Sequence, residues 1–304
     1  MSNRTDIFLQ EAKDTLDNGI LKSLISLRPE KSTEAMEHNN LLWSYAAAYG
    51  YSKDKKYLLA ASKERDYYVE NFIDHKFGGV FWSVNEKGER LDDSAKLRAQ
   101  GGAIYAFSEM YRTTKDEESL KNAINIYKIV EKEFKDDNGQ YAEALSRDFK
   151  PLNEDKNPKS LITLMQGYSA LYKICPDEHL RDALIHIIKN LPLEEMQGRD
   201  AAEACWTMCY CADSVKDADF VNEVRSLAYT LWKTKVSTLK NIDIPTKVEE
   251  VIVNICLWRY FNEADAIVKA MDIWNTDLKK NESFLHEMTM HNVRMCRVIL
   301  RMFE

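Results

Sequence analysis

Apolar residues recur along this chain in paired helical runs. Five times an apolar run ending near an aromatic residue meets a short polar turn, after which a second run begins. The segments are LLWSYAAAYGYSKDKKYLLAA (41–61), AIYAFSEMYRTTKDEESLKNA (103–123), LMQGYSALYKICPDEHLRDAL (164–184), CWTMCYCADSVKDADFVNEVR (205–225) and NICLWRYFNEADAIVKAM (254–271). Asp54, Asp116, Asp177 and Asp217 stand where a helix N-cap belongs, because a carboxylate there accepts from backbone N–H groups that the first turn leaves unpaired. Glu263 takes that place in the fifth copy and caps less well. The intervals are 62, 61, 40 and 46 residues, so the spacing is irregular while the unit repeats.

The first helix of each pair (35–50, 93–113, 156–174, 199–214 and 246–261) is apolar around much of its circumference. The second carries Lys and Glu on a broader polar face. A helix apolar all round is buried, and one with an apolar stripe lies outside it. A leading helix near 5–27 and a last helix near 284–303, whose stripe is Phe284, Met288, Met295, Val298 and Met302, complete about twelve helices. The pattern predicts an all-α fold, an (α/α)6 barrel of inner and outer helices; an open solenoid would need polar caps at both ends. Of the longer connectors, 74–93 contains VFWSV and an Asn-Glu-Lys-Gly turn and predicts a small β-hairpin, and 136–158 is a weaker version of it. No connector has a linker's composition, so residues 1–304 read as a single domain.

Composition narrows the class further. Ten Gly and six Pro among 304 residues are about half the usual combined share of roughly 12%, too few turn residues for an all-β chain. Hydrophobic residues at 45% and charged residues at 30% suit a soluble globule with a large core. No run approaches the ~20 apolar residues of a membrane span, and the first residues lack a signal peptide's apolar core, so a cytoplasmic protein is expected. Net charge is −7 with no basic cluster, which argues against nucleic acid as a partner. Six Cys are too sparse for a disulfide scaffold. Cys205 and Cys209 share a helical face with Cys211 nearby; they read as small apolar fillers rather than a metal site. Nucleotide loops and the common hydrolase motifs are absent, and the histidines at 75, 179, 186 and 286 lack ligand spacing. Neither metal nor cofactor is expected.

HNNLLWSYAAAY (38–49), DHKFGGVFWSVNEKGERLDD (74–93) with Lys96, QGGAIYAFSEMY (100–111), GYSALYKICPDE (167–178), EACW (203–206) and MHNVRMC (290–296) are the informative stretches. In them the chain resembles the N-acylglucosamine 2-epimerase family, which includes cellobiose 2-epimerases and mannose isomerases. The resemblance implies an (α/α)6 barrel, a sugar substrate and cofactor-free proton transfer at C2 of a free reducing sugar. Such chemistry wants groups that titrate near neutrality and a fixed donor for the enediolate.

Position by position, the resemblance places the catalytic His at His291 and acidic partners at Glu203 and Glu250. Asn40 stands where the family has a sugar-contacting Arg, Leu161 and Thr163 where it has a His pair, and Asp200 (or Arg199, if the register slips by one) where it has a second His. Pro245 and Thr246 replace a tandem Trp. Trp43 and Trp82 are candidates to stack on a sugar, although Trp43 also reads as core. Lys96, and Arg98 beside it, could contact hydroxyls or simply be solvated charges, and His38 reads as a surface histidine. The expected substrate-binding set is therefore Asn40, Trp43, Trp82, Lys96 and Asp200, with a homodimer compatible with this reading. Two alternatives stand beside the epimerase or isomerase. One is a barrel without catalysis that binds a carbohydrate or a protein. The other is a glycoside or unsaturated-uronyl hydrolase using Asp200 with Glu203 or Glu250.

Overall fold

The computed structural model describes residues 2–26, 33–240, 242–279, 281 and 289–301. Helices α1 (Ser2–Thr15) and α2 (Leu21–Leu24) run on through a π-helical turn at Leu16–Ile20. The hairpins that follow are α3 (Ala35–Ser52) with α4 (Lys55–Asn71), α5 (Leu97–Thr114) with α6 (Glu117–Ile129), and α7 (Pro158–Ile174) with α8 (Glu178–Lys189). Then come α9 (Gly198–Val215) with α10 (Ala218–Leu231), α11 (Ile244–Phe261) with α12 (Ala264–Ile273), and finally α13 (Thr289–Leu300). By internal contacts the chain forms two compact units: a central one, 28–191, and a terminal one made of 1–27 with 192–304.

Most of the hairpins turn by one device. The first helix ends on a residue in the left-handed conformation: Lys53 (φ 57°), Lys115 (62°), Lys216 (55°) and Asn262 (63°). The next residue caps the second helix: Asp54, Asp116 and Asp217 accept from the backbone N–H of Lys56, Ser119 and Phe220. Asp177 caps α8 through Leu180 N–H, but after Pro176 rather than a left-handed residue. Glu263 makes no side-chain cap, as its longer side chain predicts. Helices α3, α5, α7, α9 and α11 are buried nearly all round, whereas their partners bury one stripe each. The division into buried and striped helices follows the sequence pattern.

In the central unit α5 lies between α3 and α7. Its crossing with α7 is set by glycine. A Cβ on Gly101 would fall 2.7 Å from Leu164 N, and one on Gly167 would fall 2.5 Å from Gly101 O. The two backbones therefore meet with no side chain between them. The connector 72–95 forms the expected hairpin: β1 (Ser83–Val84) pairs antiparallel with β2 (Arg90–Asp92), turning at Gly88 (φ 79°). The weaker connector has a different use. Its β4 (Ala144–Leu145) pairs with β3 (Ala95–Lys96), which is why α5 starts at Leu97 instead of 93.

His38, expected at the surface, is buried, with Nδ1 2.6 Å from Glu64 Oε1 and its ring stacked on Tyr67. In the terminal unit α11 packs against α9, α12 and α13, and α13 against α1. Met295 is buried in α13 and Val298 is only half-buried; Phe284, Met288 and Met302 lie outside the described residues. No described helix is long and apolar enough to cross a membrane.

Candidate active site

Three helices of the terminal unit supply one cluster. On α9, Arg199, Glu203 and Trp206 recur at intervals of four and three residues and so share a face. Glu249 comes from α11; His291 and Arg294, three residues apart, come from α13. Glu249 is fully buried and is the centre of the group. Its Oε2 accepts from Trp206 Nε1–H at 2.8 Å, and its Oε1 pairs with His291 Nδ1. The Arg294 guanidinium lies over the Trp206 ring, 4.6 Å from its centroid. Glu203 Oε1 lies 3.8 Å from His291 Nδ1 and accepts from Arg199 Nε–H at 3.2 Å. Arg199 Nη2 reaches His291 Nε2 at 2.8 Å.

A guanidinium has no lone pair to offer, so His291 Nε2 is the acceptor in that contact. The ring hydrogen then sits on Nδ1, toward Glu249, and Nε2 is the basic nitrogen. Burial works to raise the Glu249 pKa, but the attraction and hydrogen bonding of His291, with Arg294 and Arg199 behind it, outweigh burial. The carboxyl is held at about 2, well below its ordinary 4.5. Two carboxylates face two guanidinium groups, so the cluster's fixed charges balance around one imidazole. His291 and Glu203 keep partial exposure, 16% and 12% of their side chains, which leaves the imidazole reachable from outside.

The expected residues fall in different places. His291 and Glu203 lie side by side. Glu250 does not join them: its side chain turns toward the outer helix, where Lys269 Nζ lies 2.6 Å from Oε1. One residue is about 100° on a helix, and its neighbour Glu249 faces the imidazole in its stead. Asp200 is half-buried on α9 beside Arg199. The other four lie in the central unit. Trp43 is buried and stacks on Tyr105 with centroids 5.5 Å apart, so it serves the core. Asn40 is half-buried and its carbonyl accepts from Ser44 Oγ–H. Lys96 lies over the Trp82 ring at 4.8 Å and pairs with Glu154 at 3.3 Å and Asp92 at 3.9 Å.

Among the described residues, the side chains grouped closely enough to hold a metal ion are Glu203, Glu249 and His291, whose ligand atoms lie within 4.8 Å of one another. Arg199 sets a positive charge against the same imidazole, at Nε2, which opposes a cation there. Cys205, Cys209, Cys211 and Cys256 are free thiols buried in the core, and burial, aided by Cys205, pushes Cys209 well up. They pack as apolar fillers.

The family model for N-acylglucosamine 2-epimerase matches residues 22–203, more than half of the chain. The chain belongs to the N-acylglucosamine 2-epimerase family. It is 27% identical to the cellobiose 2-epimerase of Bacteroides fragilis over 301 residues, covering 82% of this chain and 76% of that protein. Matches to other cellobiose 2-epimerases are shorter, spanning 51%, 35% and 45% of their lengths. Among solved structures, a sugar epimerase from a ruminal bacterium superposes with a TM-score of 0.86 at 19% identity, covering 98% of this chain and 99% of that one. A D-mannose isomerase superposes at 0.75 with 12% identity, covering 98% and 97%. These likenesses show the fold, the all-α (α/α)6 barrel expected from the helix pattern.

Glu249, Trp206 and Arg294 are members of the cluster that the sequence did not single out, and Arg199 entered only as the alternative to Asp200. Helix α11 is apolar on every side, and VEEV offers two adjacent acids with no polar face to fix which points inward. Arg199 stands one position from the residue aligned with the family's second His, within the slip that alignment allows.

Proposed function

We propose that this chain is a cofactor-free sugar epimerase or isomerase of the N-acylglucosamine 2-epimerase type, with His291 as the proton-transferring base. The observation that carries the reading is the ordered set Glu249, His291, Arg199. A buried carboxylate fixes the ring through Nδ1 and leaves the Nε2 lone pair as the one available for chemistry. Glu249 also favours the imidazolium that forms once Nε2 has taken a proton, because its own charge is already secured by Trp206 and Arg294. Arg199 lies at that nitrogen, Glu203 stands beside the ring on the Nδ1 side, and both are placed to contact sugar hydroxyls.

Applied to a reducing sugar in its open form, the base removes the proton on C2. The C–H electron pair becomes a C1=C2 bond, and the carbonyl pair moves onto O1. When the enediolate turns its other face to the imidazolium, return of the proton to C2 re-forms the C1 carbonyl and gives the 2-epimer. Return of the proton to C1, with the O2 proton passing to O1 and the C2 carbonyl forming, gives the ketose. The family's known relatives act on cellobiose and mannose, which makes these the first substrates to offer. Net charge of −7 argues against nucleic acid as a partner, and six cysteines, too sparse for a disulfide scaffold, support a reducing, cytoplasmic setting. The test is product analysis by chromatography after incubation with cellobiose, mannose and N-acylglucosamine. A 2-epimer or ketose from one of them, absent with His291→Ala, supports the reading. No product from any of them with the folded wild-type protein contradicts it.

A further inference from the structure

A base is useful only when its lone pair is uncovered, and in this structure it is covered. Arg199 Nη2 donates to His291 Nε2 at 2.8 Å, the same nitrogen that must take the substrate's proton. The contact is unusual for an arginine with carboxylates at hand. Arg199 gives Glu203 a single bond through Nε rather than a two-pronged one, and spends another nitrogen on a neutral ring. It is the second residue of α9, and 29% of its side chain is exposed. The guanidinium can therefore rotate away without disturbing the core. Its charge reaches the α11 cap as well: Asp243 is held below its ordinary pKa by its hydrogen bonds to Thr246 first and by Arg199 in smaller part.

We propose that Arg199 is a catalytic residue of this chain, resting on the base in the free protein and moving onto a substrate oxygen when sugar binds. The inference rests on the function proposed above. A carbonyl oxygen is a better-matched acceptor for the guanidinium than Nε2, and the exchange trades one hydrogen bond for another. The move uncovers Nε2 at the moment a C2 proton is within reach. It also sets a cation against O1, where negative charge collects as the C2–H pair moves into the C1=C2 bond. No proton passes through Arg199; it only donates hydrogen bonds. Glu203, which keeps Nε, acts as the pivot and is a positioning residue.

The experiment is kinetics of Arg199→Ala and Arg199→Lys on a sugar that the wild type turns over, with free guanidinium ion added back. Arg199→Ala is expected to lower kcat by about 10²–10³, the usual cost of one fixed donor at a developing oxyanion, with little change in thermal midpoint. Millimolar guanidinium is expected to restore part of that rate, and Arg199→Lys to fall between. A ¹⁵N spectrum of the ligand-free protein should show His291 Nε2 without a proton and its resonance moved in Arg199→Ala. Wild-type rates in Arg199→Ala, or a loss that guanidinium leaves untouched, would overturn this proposal while leaving His291 chemistry standing. A folded wild type that turns over no sugar would remove both.

Discussion

Replacing Glu249 by Gln tests the cluster at its centre. The change keeps the side chain's size and removes its charge. Glu249 now accepts at both oxygens, from Trp206 Nε1–H and from the Nδ1 side of His291. A glutamine has one carbonyl oxygen and one NH₂, so it can serve only one of these donors and turns a donor against the other. If the amide oxygen keeps Trp206, His291 is pushed to carry its hydrogen on Nε2, and the base loses its lone pair. Inverting the tautomer behind a catalytic imidazole costs on the order of 10⁴ in kcat, and that is the loss expected here.

Stability should respond to pH as well. Burial pulls the folded carboxyl up, but His291, Arg294 and Arg199 hold it below its ordinary 4.5, so the charge contributes to stability. Because the folded value is the lower one, that contribution is complete above pH 4.5 and drains away as pH falls toward 2. Urea unfolding of wild type and Glu249→Gln at several pH values, together with kcat on a common sugar, reads both effects. The variant should be less stable at pH 7, and the gap should narrow below pH 4.5. A variant with kcat within threefold of wild type, or a stability gap unchanged by acid, would refute the reasoning.

Three further outcomes are expected. Glu250→Gln breaks only the pair with Lys269, so it should keep wild-type turnover with a modest loss of stability; a collapse in kcat would mean that the two glutamates have been assigned in the wrong order. Gly167→Ala places a methyl 2.5 Å from Gly101 O; overpacking of this kind costs about 1–3 kcal/mol, and an unchanged urea midpoint would refute the close crossing of α5 and α7. Lys115→Gly relieves a side chain held at φ 62° and should stabilise by up to about 1 kcal/mol; destabilisation would show that Lys115 makes contacts that outweigh its backbone strain.

Much of the fold could be read because it repeats. An apolar run ending in Ser-Lys-Asp, Thr-Lys-Asp or Val-Lys-Asp marks both the left-handed stop of one helix and the cap of the next, so the hairpins fall where the sequence puts them. His291 and Glu203 could be placed through stretches that resemble a family, whereas Glu249 could not. Its helix has no polar side, and a pattern without a polar side carries no phase. His38 was misplaced for a related reason: its partner Glu64 lies on a helix with an ordinary polar face, and nothing in sequence marks one of its acids as turned inward. The second connector gave too little alternation to show that two of its residues complete a ladder with Ala95 and Lys96.

The most direct test of the account is deuterium wash-in. A reducing sugar that the protein turns over, incubated in heavy water and followed by proton NMR, should lose its C2 signal with wild type and keep it with His291→Ala, while the two proteins melt within a few degrees of each other. Turnover without any deuterium at C2, or exchange that survives the loss of the imidazole, would contradict it.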